Sequence, residues 1–147
     1  MPHYFAYGAN LDREAMRQRC PRSRVLCRAR LARHRLIAMS DGFLSVVPDP
    51  RANVCGLLWD LALADVRALD LFEGVSRGDY KKCYMPVLRE PFGSVKALVY
   101  VGWTAAEGAP QPAYFAAILA AARAAALPAV YLAHLETLAK INRRNQQ

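Results

Sequence analysis

The spacing of apolar and polar positions switches between a strand period and a helix period along the chain, and each switch marks an element boundary. His3-Tyr4-Phe5-Ala6-Tyr7 is a short aromatic run of high strand propensity that stops at Gly8. Ala9-Asn10-Leu11-Asp12 leads into Arg13 to Cys20, a short helix that Asn10 or Asp12 can cap and Pro21 ends. Val25 to Met39 alternates imperfectly, with Val25, Cys27, Ala29 and Leu31 set against Arg24, Arg28 and Arg30. That pattern predicts one long bent strand, or two, with basic residues on the wet face. Asp41-Gly42 is a turn dipeptide. Phe43 to Val47 reads as the next strand, ended by Pro48-Asp49-Pro50, and Asn53 to Leu61 reads as another.

From Ala62 to Phe72 the period becomes helical: Leu63, Val66, Leu69 and Phe72 form an apolar stripe, and Asp65 sits early enough to suit the helix dipole. After the Gly78-Asp79-Tyr80 turn come two strands, Tyr80 to Arg89 and Val95 to Trp103, joined through Pro91-Phe92-Gly93. Tyr114 to Leu127 is a helix carrying Tyr114/Phe115, Ile118/Leu119 and Ala122 on one face. Pro128 starts a second helix that runs to about Ile141, and the polar tail from Asn142 is expected to fray. Strands dominate the first two thirds without the alternation of a doubly wound sheet. The fold class is therefore α+β, a mixed, partly closed sheet with flanking helices, in a single domain over residues 1–147.

Composition narrows the class of protein. With 54% apolar and 22% charged residues, general disorder is excluded. Arg123 and Pro128 interrupt the most apolar region, Ala113 to Ala133, so no stretch approaches the ~20 apolar residues of a membrane span. No basic stretch followed by an apolar run opens the sequence, so the expectation is a cytoplasmic protein with reduced thiols. Cys20, Cys27, Cys55 and Cys83 show no C-x-x-C spacing, which disfavours zinc; Cys27 and Cys55 read as small core residues. The formal charge is +8, and nine arginines fall between Arg13 and Arg35 with no comparable acidic run nearby. A nucleic-acid-binding module is one reading of that segment, but no helix-turn-helix, K-homology loop or ribonucleoprotein motif accompanies it.

Two places invite chemistry. Tyr7-Gly8-Ala9-Asn10-Leu11 is a glycine turn between strand and helix, whose successive N–H groups can hold a carboxylate or a developing oxyanion; it equally serves as a plain connection. Glu73 lies among Leu71, Phe72, Gly74 and Val75, where desolvation would raise its pKa and poise it as a base; the alternative is a solvated helix-end carboxylate. Tyr80 and Tyr114 are rim or core aromatics on local sequence alone.

Taken together, Phe5-Ala6-Tyr7-Gly8-Ala9-Asn10-Leu11 and Leu69-Asp70-Leu71-Phe72-Glu73-Gly74-Val75-Ser76-Arg77-Gly78-Asp79-Tyr80 resemble the γ-glutamylcyclotransferase family, with its F-x-Y-G-S-N-L opening and L-D-x-x-E-G-V-x-x-G-x-Y segment. The likeness extends to Gln111-Pro112-Ala113-Tyr114 and the Leu127-Pro128 helix start. It implies a β-barrel-like sheet with flanking helices (the γ-glutamylcyclotransferase-like or AIG2-like fold). It further implies an enzyme that cyclises a small γ-glutamyl amino acid or amine to 5-oxoproline and releases the free amine, without cofactor or metal. By the same likeness Glu73 is the general acid/base, and Tyr7, Gly8, Ala9, Asn10, Leu11, Tyr80 and Tyr114 bind or support the glutamyl moiety. The chemistry suits a chain with no activated Ser or Cys, because the substrate's own α-amine is the nucleophile.

The chain departs from the motif at Ala9, where the family has Ser, so one hydroxyl is lost while the backbone amide remains. Y-G-A-N-L is nearer to the cyclotransferases for γ-glutamyl amino acids than to the Y-G-S-L of glutathione-specific members or the Y-G-T-L of the γ-glutamylamine type. The alternatives are the same chemistry on a larger γ-glutamylated biosynthetic intermediate or carrier, which the arginines would help attract, and a non-catalytic glutamyl-binding or nucleic-acid-binding protein. A homodimer is left open; the Ala-rich helix is its one sequence feature, and that helix is expected to pack internally.

Overall fold

The structure, a computed structural model, describes residues 2–145, with side chains through residue 141. Five strands close into a barrel in the order β1-β3-β2-β4-β5. They are β1 (His3–Ala6), β2 (Arg24–Ala38), β3 (Leu44–Asp60), β4 (Tyr80–Arg89) and β5 (Ser94–Gly102). The short β1 closes the ring: it runs antiparallel to β3, from His3↔Asp60 to Ala6↔Leu57, and parallel to β5, with His3↔Ala97 and Tyr4↔Leu98. One parallel pairing in an otherwise antiparallel set makes the sheet mixed, and closure leaves it no free edge. The expected partly closed, barrel-like sheet is thus a closed one.

β1 can close the barrel because its residues bury completely. Phe5 and Ala6 have no exposed surface, and they pack against Leu57 and Leu58 of β3 in one core. A side chain of Phe or Leu size so buried contributes ~1.5–3 kcal/mol. The approach is closest at Gly56, where a Cβ would collide with the Ala6 backbone and lie 3.0 Å from Phe5 Cζ.

β2 and β3 form a long antiparallel ribbon from Arg24↔Asp60 to Ala38↔Leu44, with register shifts between Val25 and Cys27 and between Ala32 and His34. Pro48-Asp49-Pro50 does not end a strand as expected. β3 runs through it, and residues 49–52 bulge opposite Arg33, whose φ is +60°. Proline lacks the ladder N–H, and a bulge is where a strand tolerates that loss.

The helices differ from expectation in detail. α1 (Arg13–Arg19) is capped by Asp12, which accepts from the Glu14 and Ala15 amides; Asn10 does not cap it. The stripe from Leu63 to Phe72 splits into a 3-10 turn, Leu63–Asp65, and α2 (Val66–Phe72). Leu69 is fully buried, but Leu63 is 74% exposed. Asp65 stands at the N-terminus of α2 as the pattern expects; it is buried and accepts from Arg22 N and Ser23 Oγ, tying the α1–β2 connection to this turn. α3 (Pro112–Ala124) packs Phe115, Ile118 and Ala122 inward. α4 (Ala129–Asn145) continues past Ile141. Residues 146–147, the end of the tail expected to fray, lie outside the described residues. Cys55 is buried, as is Cys20, while Cys27 is only half-buried.

The basic segment is not one face. Arg17 pairs with Glu14 (3.3 Å), Arg24 with Asp60 (3.4 Å) and Arg28 with Glu90 (2.7 Å), while Arg35 pairs with Glu107 and Asp49. For Arg24, Arg28 and Arg35 the acidic partners missing from the local sequence are supplied across the fold. No helix among the described residues is long and apolar enough to cross a membrane.

Candidate active site

One end of the barrel opens into a cavity of about 520 Å³. Its floor is aromatic, from Tyr4 and Tyr7 at the β1 end and Tyr100 on β5. Its rim joins five pieces of the chain: the Gly8–Asn10 turn, Arg19 at the end of α1, Glu73 at the end of α2, Tyr80 on β4, and Tyr114 near the start of the helix Pro112–Ala124. Of the residues predicted for the site, Tyr7, Gly8, Ala9, Asn10, Glu73, Tyr80 and Tyr114 line this cavity. Leu11 does not: it is 2% exposed and belongs to the core.

The turn after β1 is a single 3-10 turn, Ala9–Leu11. Leu11 N donates to Gly8 O (2.9 Å) and Asp12 N to Ala9 O (3.4 Å), so the Leu11 amide is spent. The first amides of such a turn have no partner within it. Those of Gly8, Ala9 and Asn10 have none elsewhere among the described residues. Asn10 is buried, and its side chain is fully occupied: Nδ2 donates to Tyr4 Oη (3.0 Å), and Oδ1 accepts from Arg19 Nη1 (2.5 Å). The donors left free at this turn are therefore backbone N–H groups.

Glu73 is the C-terminal cap of α2, with its own amide donating to Leu69 O (3.0 Å). Gly74 follows at φ +66°, a left-handed step that turns the chain out of the helix and leaves the Glu73 side chain at the cavity. No hydrogen bond or ion pair holds its carboxylate among the described residues. Burial pushes its pKa up to about 7, against a smaller lowering by the Arg19 guanidinium. A carboxylate at this end of a helix also meets the negative pole of the dipole. Glu73 is thus a carboxyl group near neutrality with both oxygens free.

The tyrosines frame rather than titrate. Tyr7 Oη donates to Tyr100 O (2.5 Å). Tyr80 Oη donates to Leu44 O (2.6 Å), and Tyr114 Oη accepts from Leu44 N (3.3 Å), so two phenols clamp one residue of β3. Burial raises the pKa of all three, Tyr114 to about 12, which keeps them neutral. Tyr100 Oη donates to Asp70 Oδ1 (2.6 Å), and Asp70 in turn pairs with Lys82 (3.1 Å). That chain of contacts links α2, which carries Glu73, to β4 and β5.

Arg19, Tyr4, Tyr100 and Asp41 are cavity residues that sequence reasoning did not single out. Arg19 was hidden in a run of arginines, and nothing in its neighbours distinguishes it. Among the described residues no group of three or more His, Cys, Asp or Glu side chains is placed to hold a metal ion.

The sequence profile of the AIG2-like family matches residues 53–135, more than half of the chain. The chain belongs to the AIG2-like family. In this AIG2-like chain the matched segment carries Glu73, Tyr80 and Tyr114, and the Tyr7–Asn10 turn joins them from outside it. The chain is 26% identical to the γ-glutamylcyclotransferase of Homo sapiens and 28% identical to that of Mus musculus, in each case over 145 residues, 92% of this chain and 77% of the relative. A solved structure of a γ-glutamyl cyclotransferase superposes with a TM-score of 0.85 at 26% identity, covering 92% of this chain and 86% of that one. The enzyme class of these relatives is the one implied by the two sequence motifs.

Proposed function

We propose that the protein is a γ-glutamylcyclotransferase that converts a small γ-glutamyl amino acid or amine to 5-oxoproline and the free amine, with Glu73 as general acid/base. The observation that carries this reading is Glu73 itself: an unpaired carboxyl group with a pKa near 7 at a cavity rimmed by free backbone amides. The named relatives support the reaction class.

The reaction is an internal aminolysis. The α-nitrogen attacks the γ-carbonyl carbon, a new C–N bond forms, and the π pair moves onto oxygen. Collapse of that oxyanion breaks the original C–N amide bond. Overall, two protons leave the α-nitrogen and two reach the departing nitrogen. A carboxylate near pKa 7 can accept each and give it up, worth about 10²–10⁴ in rate. The developing oxyanion is met by the N–H groups of Gly8, Ala9 and Asn10. The tyrosine walls fold the glutamyl chain so that amine and carbonyl meet, where positioning supplies several kcal/mol. The four free cysteines are in keeping with a reducing, cytoplasmic setting.

The test has two parts. A panel of γ-glutamyl amino acids, γ-glutamylamines and glutathione is incubated with the protein, and 5-oxoproline is measured; release from at least one class is expected. Glu73→Gln keeps size and removes the base, so its rate should fall by about 10³ or more. Wild-type turnover by a folded Glu73→Gln protein would falsify the assignment.

A further inference from the structure

Two opposite charges in the cavity face the same space without pairing. Glu73 and Arg19 both line it, and Arg19 is close enough to lower the Glu73 pKa, yet no ion pair joins them. Arg19 is held from two other sides: Nη1 donates to the buried Asn10 amide oxygen (2.5 Å), and the guanidinium lies 3.6 Å above the centre of the Phe72 ring. Neither contact neutralises it. The other cavity arginine, Arg77, is already bound to Asp79 (3.0 Å), and Asp41 accepts from Trp103 Nε1 and Phe43 N. Among the described cavity residues, Arg19 is therefore the cation without a carboxylate partner.

A guanidinium has five N–H donors in a planar fork, and one is used here. Stacking and the Asn10 bond fix the plane, so the remaining donors are preorganised for a planar, bidentate acceptor. A half-buried guanidinium with no anion is a site built for one. The glutamyl group carries an ammonium and a carboxylate on a single carbon, one charge for each of the two unpaired side chains.

We propose that Arg19 anchors the free α-carboxylate of the glutamyl group, while Glu73 faces the ammonium on the same carbon. The inference rests on the cyclotransferase reading for the identity of the ligand. It adds that the enzyme requires an unblocked, zwitterionic α-carbon and that Arg19 sets this requirement. Asn10 then acts through Arg19 as a positioning residue, which explains a buried side chain in the motif that does not itself reach a ligand.

The test measures binding as well as turnover. 5-Oxoproline and 5-oxoprolinamide, which differ only in carboxylate against carboxamide, are titrated into wild-type protein, Arg19→Met and Arg19→Lys. Wild type should bind the acid roughly 30- to 100-fold more tightly than the amide. Arg19→Met should lose that preference, with amide affinity unchanged within about threefold, and Arg19→Lys should keep part of it. In turnover, Arg19→Met should act chiefly on KM and move the low-pH limb of kcat/KM upward, because a cation beside Glu73 is gone. Equal binding of acid and amide by wild type, or equal loss of both in Arg19→Met, overturns the proposal. If Arg19→Met does not fold, Arg19→Lys decides: an acid-over-amide preference equal to that of wild type overturns the proposal. Preference for the acid without any 5-oxoproline release from the panel would leave the anchor standing and remove the cyclotransferase reading.

Discussion

The Asp79 carboxylate fills the space into which any side chain on Gly74 would project. Gly74 is also at φ +66°, and Arg77 Nη2 would lie 2.8 Å from its Cβ. Gly74→Ala should therefore break the Arg77–Asp79 pair, strain the backbone and shift Glu73, although it removes no functional group. The expected cost is about 2 kcal/mol or more, roughly 4–8 °C in Tm, with a clear fall in kcat. Gly78→Ala is the control. Its φ is +79° but nothing lies within 4 Å of its Cβ, so it should show only the backbone strain of about 1 kcal/mol and near-normal kcat. Thermal melts and steady-state rates on the two variants separate the effects.

Glu73 must be ionised to accept a proton, and burial holds its pKa near 7. The kcat/KM profile should rise with pH along a limb centred near 7, not near the ordinary value of about 4.5. The same shift has a stability sign. The folded protein holds this proton more tightly than the unfolded chain, so stability falls as pH rises from about 4.5 through 7. Glu73→Gln should therefore be more stable than wild type at pH 8, by about 1–3 kcal/mol once solvent access to the cavity is allowed for, and equal to it near pH 4. Denaturant melts at the two pH values check it, and a Glu73→Gln protein less stable at pH 8 would sink the assignment of an unpaired, desolvated carboxylate.

Tyr80 binds the carbonyl and Tyr114 the N–H of Leu44, and Leu44 is 1% exposed. Tyr114→Phe leaves a buried N–H without its acceptor, whereas Tyr80→Phe leaves a carbonyl that retains a second lone pair. The loss should be about 1–3 kcal/mol for Tyr114→Phe and about 1 kcal/mol for Tyr80→Phe. Because the two share one residue, the double variant should deviate from additivity by at least about 0.5 kcal/mol. Chemical denaturation of the four proteins in the cycle measures it.

Ala9 lies half-exposed at the cavity, beside free amides. Ala9→Ser should fold normally and change kcat/KM by no more than about tenfold, the value of one hydrogen bond, since the amide donors are unaffected. A loss of about 10³ would show that the turn tolerates only Ala and that its geometry, not its hydroxyl, decides the rate.

Much of the strand and helix pattern could be read from alternation and turn residues, because propensity and periodicity are local properties. β1, β4, β5 and α3 lie close to where the pattern puts them. The misreadings occur where a distant partner overrides the local signal. β3 continues past Pro48 and Pro50 because residues 49–52 bulge opposite Arg33 and β2 pairs with the strand on both sides. Asp65 keeps its place at the N-terminus of α2, but its carboxylate binds Ser23 and the Arg22 amide, contacts that no local window contains. Leu11 is part of a motif but belongs to the core.

For the site the same division holds. The residues Tyr7 to Asn10 and Glu73 were legible in sequence because the two contiguous motifs that hold them, taken together, resemble a known family; alone, each reads equally as a plain turn or a solvated carboxylate. That they meet at one cavity depends on barrel closure by β1, which no local window contains. Arg19 was one of nine arginines in a basic run until the fold paired Arg17, Arg24, Arg28 and Arg35 with acidic residues and placed Arg19, alone of the nine, at the cavity and over Phe72. Charge along a chain is a sum over residues, whereas which charge stays unpaired depends on distances across the fold. The sequence by itself determined the strand-rich architecture and pointed to Glu73; the tertiary structure decided which cation shares its cavity.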